Sequence, residues 1–130
     1  MDLRTGQRLW ARTIGSIQTP MVAGDHVFVV TTDSQVVCLE RATGVVRWVR
    51  ELRRFEDVED RKGRVVWSGP VLASNRLVLA SSRGDVAVLN PADGAVVREL
   101  RADGPVFIAP IVADDTVYVL SDSGSLTAFR

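Results

Sequence analysis

The chain contains a single cysteine, Cys38, which excludes an internal disulfide. It also contains a single histidine, His26. A histidine acting as general base or metal ligand needs company, and no nucleophile–base pair stands out near this one. Charge of either sign is not in excess: 16 basic residues balance 16 acidic ones. That balance removes the electrostatic case for nucleic acid or an anionic membrane surface as partner. No hydrophobic run is long enough to span a bilayer, and the start shows no signal-peptide pattern. What remains, at 46% hydrophobic and 25% charged residues, is ordinary globular material.

What the chain has instead is repetition. Pro20-Met21-Val22-Ala23-Gly24-Asp25-His26-Val27-Phe28-Val29-Val30 returns as Pro70-Val71-Leu72-Ala73-Ser74-Asn75-Arg76-Leu77-Val78-Leu79-Ala80. It returns again as Pro110-Ile111-Val112-Ala113-Asp114-Asp115-Thr116-Val117-Tyr118-Val119-Leu120. The register holds onward through Thr31/Ser81/Ser121, Ser34/Gly84/Gly124, Val36/Val86/Leu126 and Leu39/Leu89/Phe129. A unit of this length, repeated, buries its faces against copies of itself.

Each copy reads as short strands. Aliphatic runs of four or five residues are punctuated by Gly, Asp, Asn and Ser. Asp25-His26, Asn75-Arg76 and Asp115-Thr116 mark a tight turn after the first strand, and Ser34, Gly84 and Gly124 the turn after the second. Val27 to Val30 are apolar without alternation, which predicts sheets covered on both faces. Ala42-Thr43-Gly44 and Ala92-Asp93-Gly94 then lead into a fourth strand, and Arg4-Thr5-Gly6 opens the chain in the same way. Trp10 and Trp48 both lie four residues after the Gly; the third copy has Arg98 in that column. Four short antiparallel strands per unit, apolar on both faces, predict a propeller blade.

The fold expected is all-β: a partial β-propeller, an open arc of about three four-stranded antiparallel blades. The expected division is an orphan outer strand over 2–13, a blade over 17–50, a charged insertion over 51–66, a blade over 66–101 and an incomplete last blade over 106–130. Propellers close with roughly four to eight blades, so the chain reads as the C-terminal piece of a longer ring or as a frame begun at an internal start. Alone, such an arc should be poorly soluble or oligomeric. The insertion shows as spacing: Gly44 to Pro70 spans 26 positions, against 14 from Gly6 to Pro20 and 16 from Gly94 to Pro110.

Trp10 and Trp48 are expected to dock one blade on the next by lying across the neighbouring turn. Arg98 would fill its place with an alkyl stem, giving a weaker junction. Gly69, Ala109 and Thr19, each before a repeat Pro, are expected where innermost strands approach closely. Cys38 shares a column with Val88 and Ala128 and reads as a small core residue. His26 reads as a solvated turn residue. Within the insertion, Arg53, Arg54, Phe55, Glu56 and Asp57 form a possible partner-contacting loop, because insertions in repeat proteins collect on one face. The acidic residues there lack the spaced ligands and central Gly of a calcium loop. No catalytic, metal-binding or cofactor-binding residue is expected.

Ala42-Thr43-Gly44-Val45-Val46-Arg47-Trp48, followed by a Pro-Val-Val-Ala-like strand, resembles the PQQ-like (quinoprotein-type) propeller repeat. Within that superfamily the chain is most similar to the outer-membrane assembly lipoproteins of the BamB type. Asp2 to Trp10, Trp67-Ser68-Gly69-Pro70-Val71-Leu72 and Gly124 to Arg130 carry the likeness. The resemblance covers the whole chain but only the last third of an eight-bladed ring. It implies a non-catalytic protein-binding scaffold on the periplasmic face of the outer membrane. Its implied partners are a BamA-like barrel-insertase subunit and unfolded outer-membrane proteins. Two alternatives stay open: a fragment of a PQQ-dependent dehydrogenase, which would need a calcium site, an acidic base and often adjacent cysteines, and a generic PQQ-like interaction module.

Overall fold

A computed structural model describes residues 11, 17–53, 55–57 and 62–130. Trp10, the expected outer strand over 2–13 apart from residue 11, and Arg54 lie outside the described residues. Every described element is a strand. Sheet 1 is a meander of β1 (Ile17–Ala23), β2 (His26–Thr31), β3 (Gln35–Glu40) and β4 (Val46–Glu51). A hairpin follows, β5 (Phe55–Asp57) with β6 (Lys62–Arg64). Sheet 2 contains β7 (Trp67–Ala73), β8 (Arg76–Ser81), β9 (Asp85–Leu89) and β10 (Val96–Arg101). Sheet 3 contains β11 (Ile111–Ala113), β12 (Thr116–Leu120) and β13 (Leu126–Phe129). All pairings are antiparallel.

The turns explain the punctuation. Between the first and second strands of sheets 2 and 3, both central residues are left-handed: Ser74 (φ 47°) with Asn75 (61°), and Asp114 (50°) with Asp115 (61°). Two residues with positive φ between strands are the hairpin connection that matches strand twist. Each turn therefore sits one residue earlier than the Asp-His, Asn-Arg and Asp-Thr reading: Ala23 pairs with His26, Ala73 with Arg76 and Ala113 with Thr116. At the second turn Ser34, Gly84 and Gly124 have φ of 62°, 91° and 85°. The hydroxyl that precedes each one caps it. Thr31 Oγ1 accepts from the Gln35 amide at 3.2 Å, Ser81 Oγ from the Arg83 and Asp85 amides, and Ser121 Oγ from the Ser125 amide at 3.3 Å.

The unalternated apolar runs serve two interfaces at once. Because side chains alternate across a strand, Phe28, Val30, Val36 and Cys38 face sheet 2, where they meet Leu77, Leu79, Ala87 and Leu89. The next residues along the same strands of sheet 2, Val78, Ala80 and Val86, pack with Val106, Val117, Val119 and Phe129 on the side of sheet 3. Val29, Val37 and Leu39 form a third buried cluster on the other face of sheet 1. Each fully buried Val or Leu contributes about 1.5–3 kcal/mol, so burial between sheets is the dominant stabilising term. Three antiparallel sheets stacked face to face in chain order make a partial, open β-propeller.

Sheet 3 differs from the others. Its first strand begins only at Ile111, and Phe107 is 57% exposed where its repeat equivalent Trp67 is 4% exposed. Leu120 and Leu126 are 42% and 63% exposed, while their equivalents Val30, Ala80, Val36 and Val86 are at 0–1%. The reason is positional: these columns are covered by the following sheet in sheets 1 and 2.

Candidate interaction surface at the blade junction

Sheets 1 and 2 are joined at both ends of their strands. At the end that carries the third turn, the Trp48 indole Nε1 donates to the Pro91 carbonyl at 2.9 Å, and Arg50 Nε donates to the Gly94 carbonyl at 2.6 Å. The Trp48 ring lies on Gly94 so closely that a Cβ there would fall 2.5 Å from Cε3. Gly94 has φ 76° and is therefore doubly required, by conformation and by contact. Trp48 also meets Phe28, with ring centroids 6.0 Å apart and tilted. Arg50 was not singled out by the sequence reading. Its signal was present: Trp10-Ala11-Arg12 and Trp48-Val49-Arg50 share a Trp-x-Arg pattern. Arg98, in the Trp column of the next copy, is exposed on β10.

At the opposite end the insertion is tied down at its base. Arg53 contributes its carbonyl to Trp67 Nε1 at 2.9 Å. Arg64 Nη2 donates to the Thr32 carbonyl at 2.6 Å and pairs with Asp33 at 3.1 Å. Ser34 Oγ donates to the Val65 carbonyl at 3.2 Å, and Val65 is buried in the core shared by sheets 1 and 2. Between these ties the backbone of Phe55–Asp57 pairs with Lys62–Arg64 as a hairpin. Of the loop residues singled out from sequence, Phe55, Glu56 and Asp57 lie on β5 and Arg53 at its base.

Gly69 has a different neighbour from the one expected. A Cβ there would meet the Val78 carbonyl, on the adjacent strand of the same sheet, at 2.9 Å. With φ 120° at a break in the β7–β8 register, the site needs Gly for reasons internal to the blade. His26 opens β2 beside Phe28, with ring centroids 6.2 Å apart. Cys38 is buried, and loss of hydration pushes its thiol up to about 11, partly opposed by the Arg47 charge. Among the described residues no group of His, Cys, Asp or Glu side chains could hold a metal ion. A cleft of ≈ 560 Å³ lies between the tail of sheet 1 and the outer strands of sheet 2.

Comparison with known proteins places this geometry. The profile of the family described as outer membrane protein assembly factor BamB, a PQQ-like repeat family, matches residues 1–50 and 53–130. The BamB of Salmonella typhimurium is 31% identical over 129 residues, covering 98% of this chain and 31% of the relative. That of Escherichia coli K12 is 29% identical over 127 residues, covering 97% of this chain and 30% of the relative. The chain thus spans about a third of the length of the relatives it matches, and these relatives are named assembly factors rather than enzymes. In structure, BamB from Moraxella catarrhalis superposes with a TM-score of 0.80 at 23% identity, covering 100% of this chain and 37% of that one. The WD40 β-propeller domain of Doa1 superposes at 0.69 with 14% identity, covering 88% and 36%. Taken together with three stacked blades and a repeat that runs the length of the chain, the match over residues 1–50 and 53–130 shows that the chain belongs to the BamB family of outer membrane protein assembly factors.

Proposed function

We propose that the chain is part of a non-catalytic scaffold that helps assemble and insert β-barrel proteins into the outer membrane, working at its periplasmic face. The observation that carries this reading is the family match over nearly every residue. The partners proposed are a BamA-like insertase subunit and unfolded outer-membrane proteins. A stack of sheets suits such work: its turns present loop surfaces, and strands at sheet edges offer backbone groups to extended chains.

Within the scaffold, the β5–β6 hairpin, with Arg53, Arg54, Phe55, Glu56 and Asp57, is the proposed partner-contacting loop. It interrupts the repeat, its base is pinned to sheets 1 and 2, and its sequence carries charge of both signs around Phe55. Trp48, with Trp10 in the same column, is the proposed blade-docking residue, and the units proposed are those bounded at 17–50, 66–101 and 106–130.

The reading is tested by placing a photo-crosslinking amino acid at Glu56 and irradiating the chain in outer-membrane extracts that contain the barrel-assembly machinery. The expected product is an adduct with the insertase subunit that is absent when the probe sits at Val22, on β1. Equal labelling from both positions, or none from Glu56, would count against the hairpin as the contact.

A further inference from the structure

The cleft of ≈ 560 Å³ between the tail of sheet 1 and sheet 2 has an uneven charge arrangement. One wall is β10. Its register pairs Val96 with Leu89, Glu99 with Ala87 and Arg101 with Asp85, which turns Val96, Glu99 and Arg101 to the face directed at sheet 1. The other wall is the segment Glu51 to Arg53. Its accessible apolar surface comes from half-buried Leu52 and exposed Val96. Trp67 and Ala87 lie behind this surface, both buried in the core, and the Trp67 indole N–H is already given to the Arg53 carbonyl.

Three arginines line the cleft: Arg53 is not free, and Arg83 and Arg101 are engaged near one end. Asp85 takes Arg83 at 2.8 Å and Arg101 at 2.7 Å, and Arg101 also reaches the Arg83 carbonyl at 3.2 Å. The two other carboxylates are not so matched. Among the described residues the Glu51 carboxylate accepts only from the uncharged Gln35 amide, at 3.3 Å, and the Glu99 carboxylate has no ion-pair or hydrogen-bond partner. Two carboxylates without a cation, lining one cleft with an apolar floor, complement a long basic side chain. Its head group gains charge-assisted hydrogen bonds and its alkyl stem lies on the apolar surface. Beside them, β10 is the outermost strand of sheet 2, and its backbone edge faces no further strand of that sheet.

We propose that this cleft binds an extended segment of another polypeptide, seating a Lys or Arg against Glu51 and Glu99 and a neighbouring aliphatic side chain on Leu52 and Val96. The volume lies within the usual range of ligand sites. The inference rests on the cleft alone and stands whether or not the partner is an insertase or its client.

The test is fluorescence anisotropy on the whole chain with a labelled, end-capped Gly-Leu-Lys-Leu-Gly peptide, and with the same peptide carrying Glu in place of Lys. Saturable binding of the Lys peptide is expected, weaker by about tenfold or more in Glu99→Lys, a loss typical of reversing one charge in a contact. The Glu peptide should bind at least about tenfold more weakly to the unmodified chain, and Val96→Ser should weaken binding of the Lys peptide by removing exposed apolar surface from the cleft. Glu99 and Val96 are both exposed, so both variants keep the fold, which circular dichroism checks. Asp25→Lys, away from the cleft, should leave binding unchanged. Absence of saturable binding by the Lys peptide, equal binding of the Glu peptide, or full affinity in Glu99→Lys would each overturn the proposal.

Discussion

Trp48 covers Gly94 so closely that even a methyl group there would meet the indole ring. Gly94→Ala is therefore expected to destabilise the fold by about 1–3 kcal/mol, combining left-handed strain with displacement of the ring. Trp48→Ala should cost about 3 kcal/mol by removing the ring from its packing and the Pro91 hydrogen bond. Urea denaturation checks both, and a change under about 0.5 kcal/mol in either would contradict the account. Cys38 gives a pH prediction. Its folded pKa, about 11, lies above the ordinary 9.0. The folded state thus holds the thiol proton more tightly, so this contribution to stability is complete below pH 9 and is lost as pH rises toward 11. Cys38→Val, which substitutes the residue of the equivalent Val88 column, should remove that alkaline loss, seen by comparing denaturant midpoints at pH 8 and pH 10.5. The native thiol should resist maleimide at neutral pH, because the reactive thiolate is suppressed and the sulfur is buried.

The strands were legible because β-branched runs and turn residues recur in register, and their double-sided apolarity announced burial on both faces. The turn after strand one was displaced by one residue because Ser74 and Asp114, ordinary in sequence, adopt left-handed φ beside Asn75 and Asp115. The Thr31/Ser81/Ser121 column was visible as a column, but its reason, a hydroxyl that caps the next turn, depends on backbone geometry. The ties of the insertion were not legible: they run from Arg64 and Ser34 to backbone carbonyls, which carry no sequence identity. This arrangement gives an element-scale prediction. Replacing residues 55–62 by a short turn should change stability by less than about 1 kcal/mol, since the buried anchors Val65 and Trp67 remain. Gly84→Ala should cost more than that deletion. Its φ is 91°, and a Cβ would lie 2.8 Å from the Gly104 carbonyl in the connection to sheet 3. Thermal unfolding of the two variants side by side checks the order.

In the whole molecule, the columns of Leu120 and Leu126 face a neighbouring sheet in copies one and two and are open in copy three. A Cβ on Gly124 would likewise meet nothing within 4 Å, although the same turn in sheet 2 touches Gly104. Apolar sheet surface of this kind favours association. The 130-residue chain alone is therefore expected to self-associate with rising concentration, and Leu120→Lys with Leu126→Lys should shift sedimentation toward monomer. At this scale the proposed work of the blades is barrel assembly by protein contact. Its most direct measurement is affinity capture between the purified chain and the periplasmic domains of a BamA-type insertase subunit, with folding of the chain verified by circular dichroism. Saturable binding, weakened when the β5–β6 hairpin is replaced, is the expected result. A folded chain that shows no binding would contradict it.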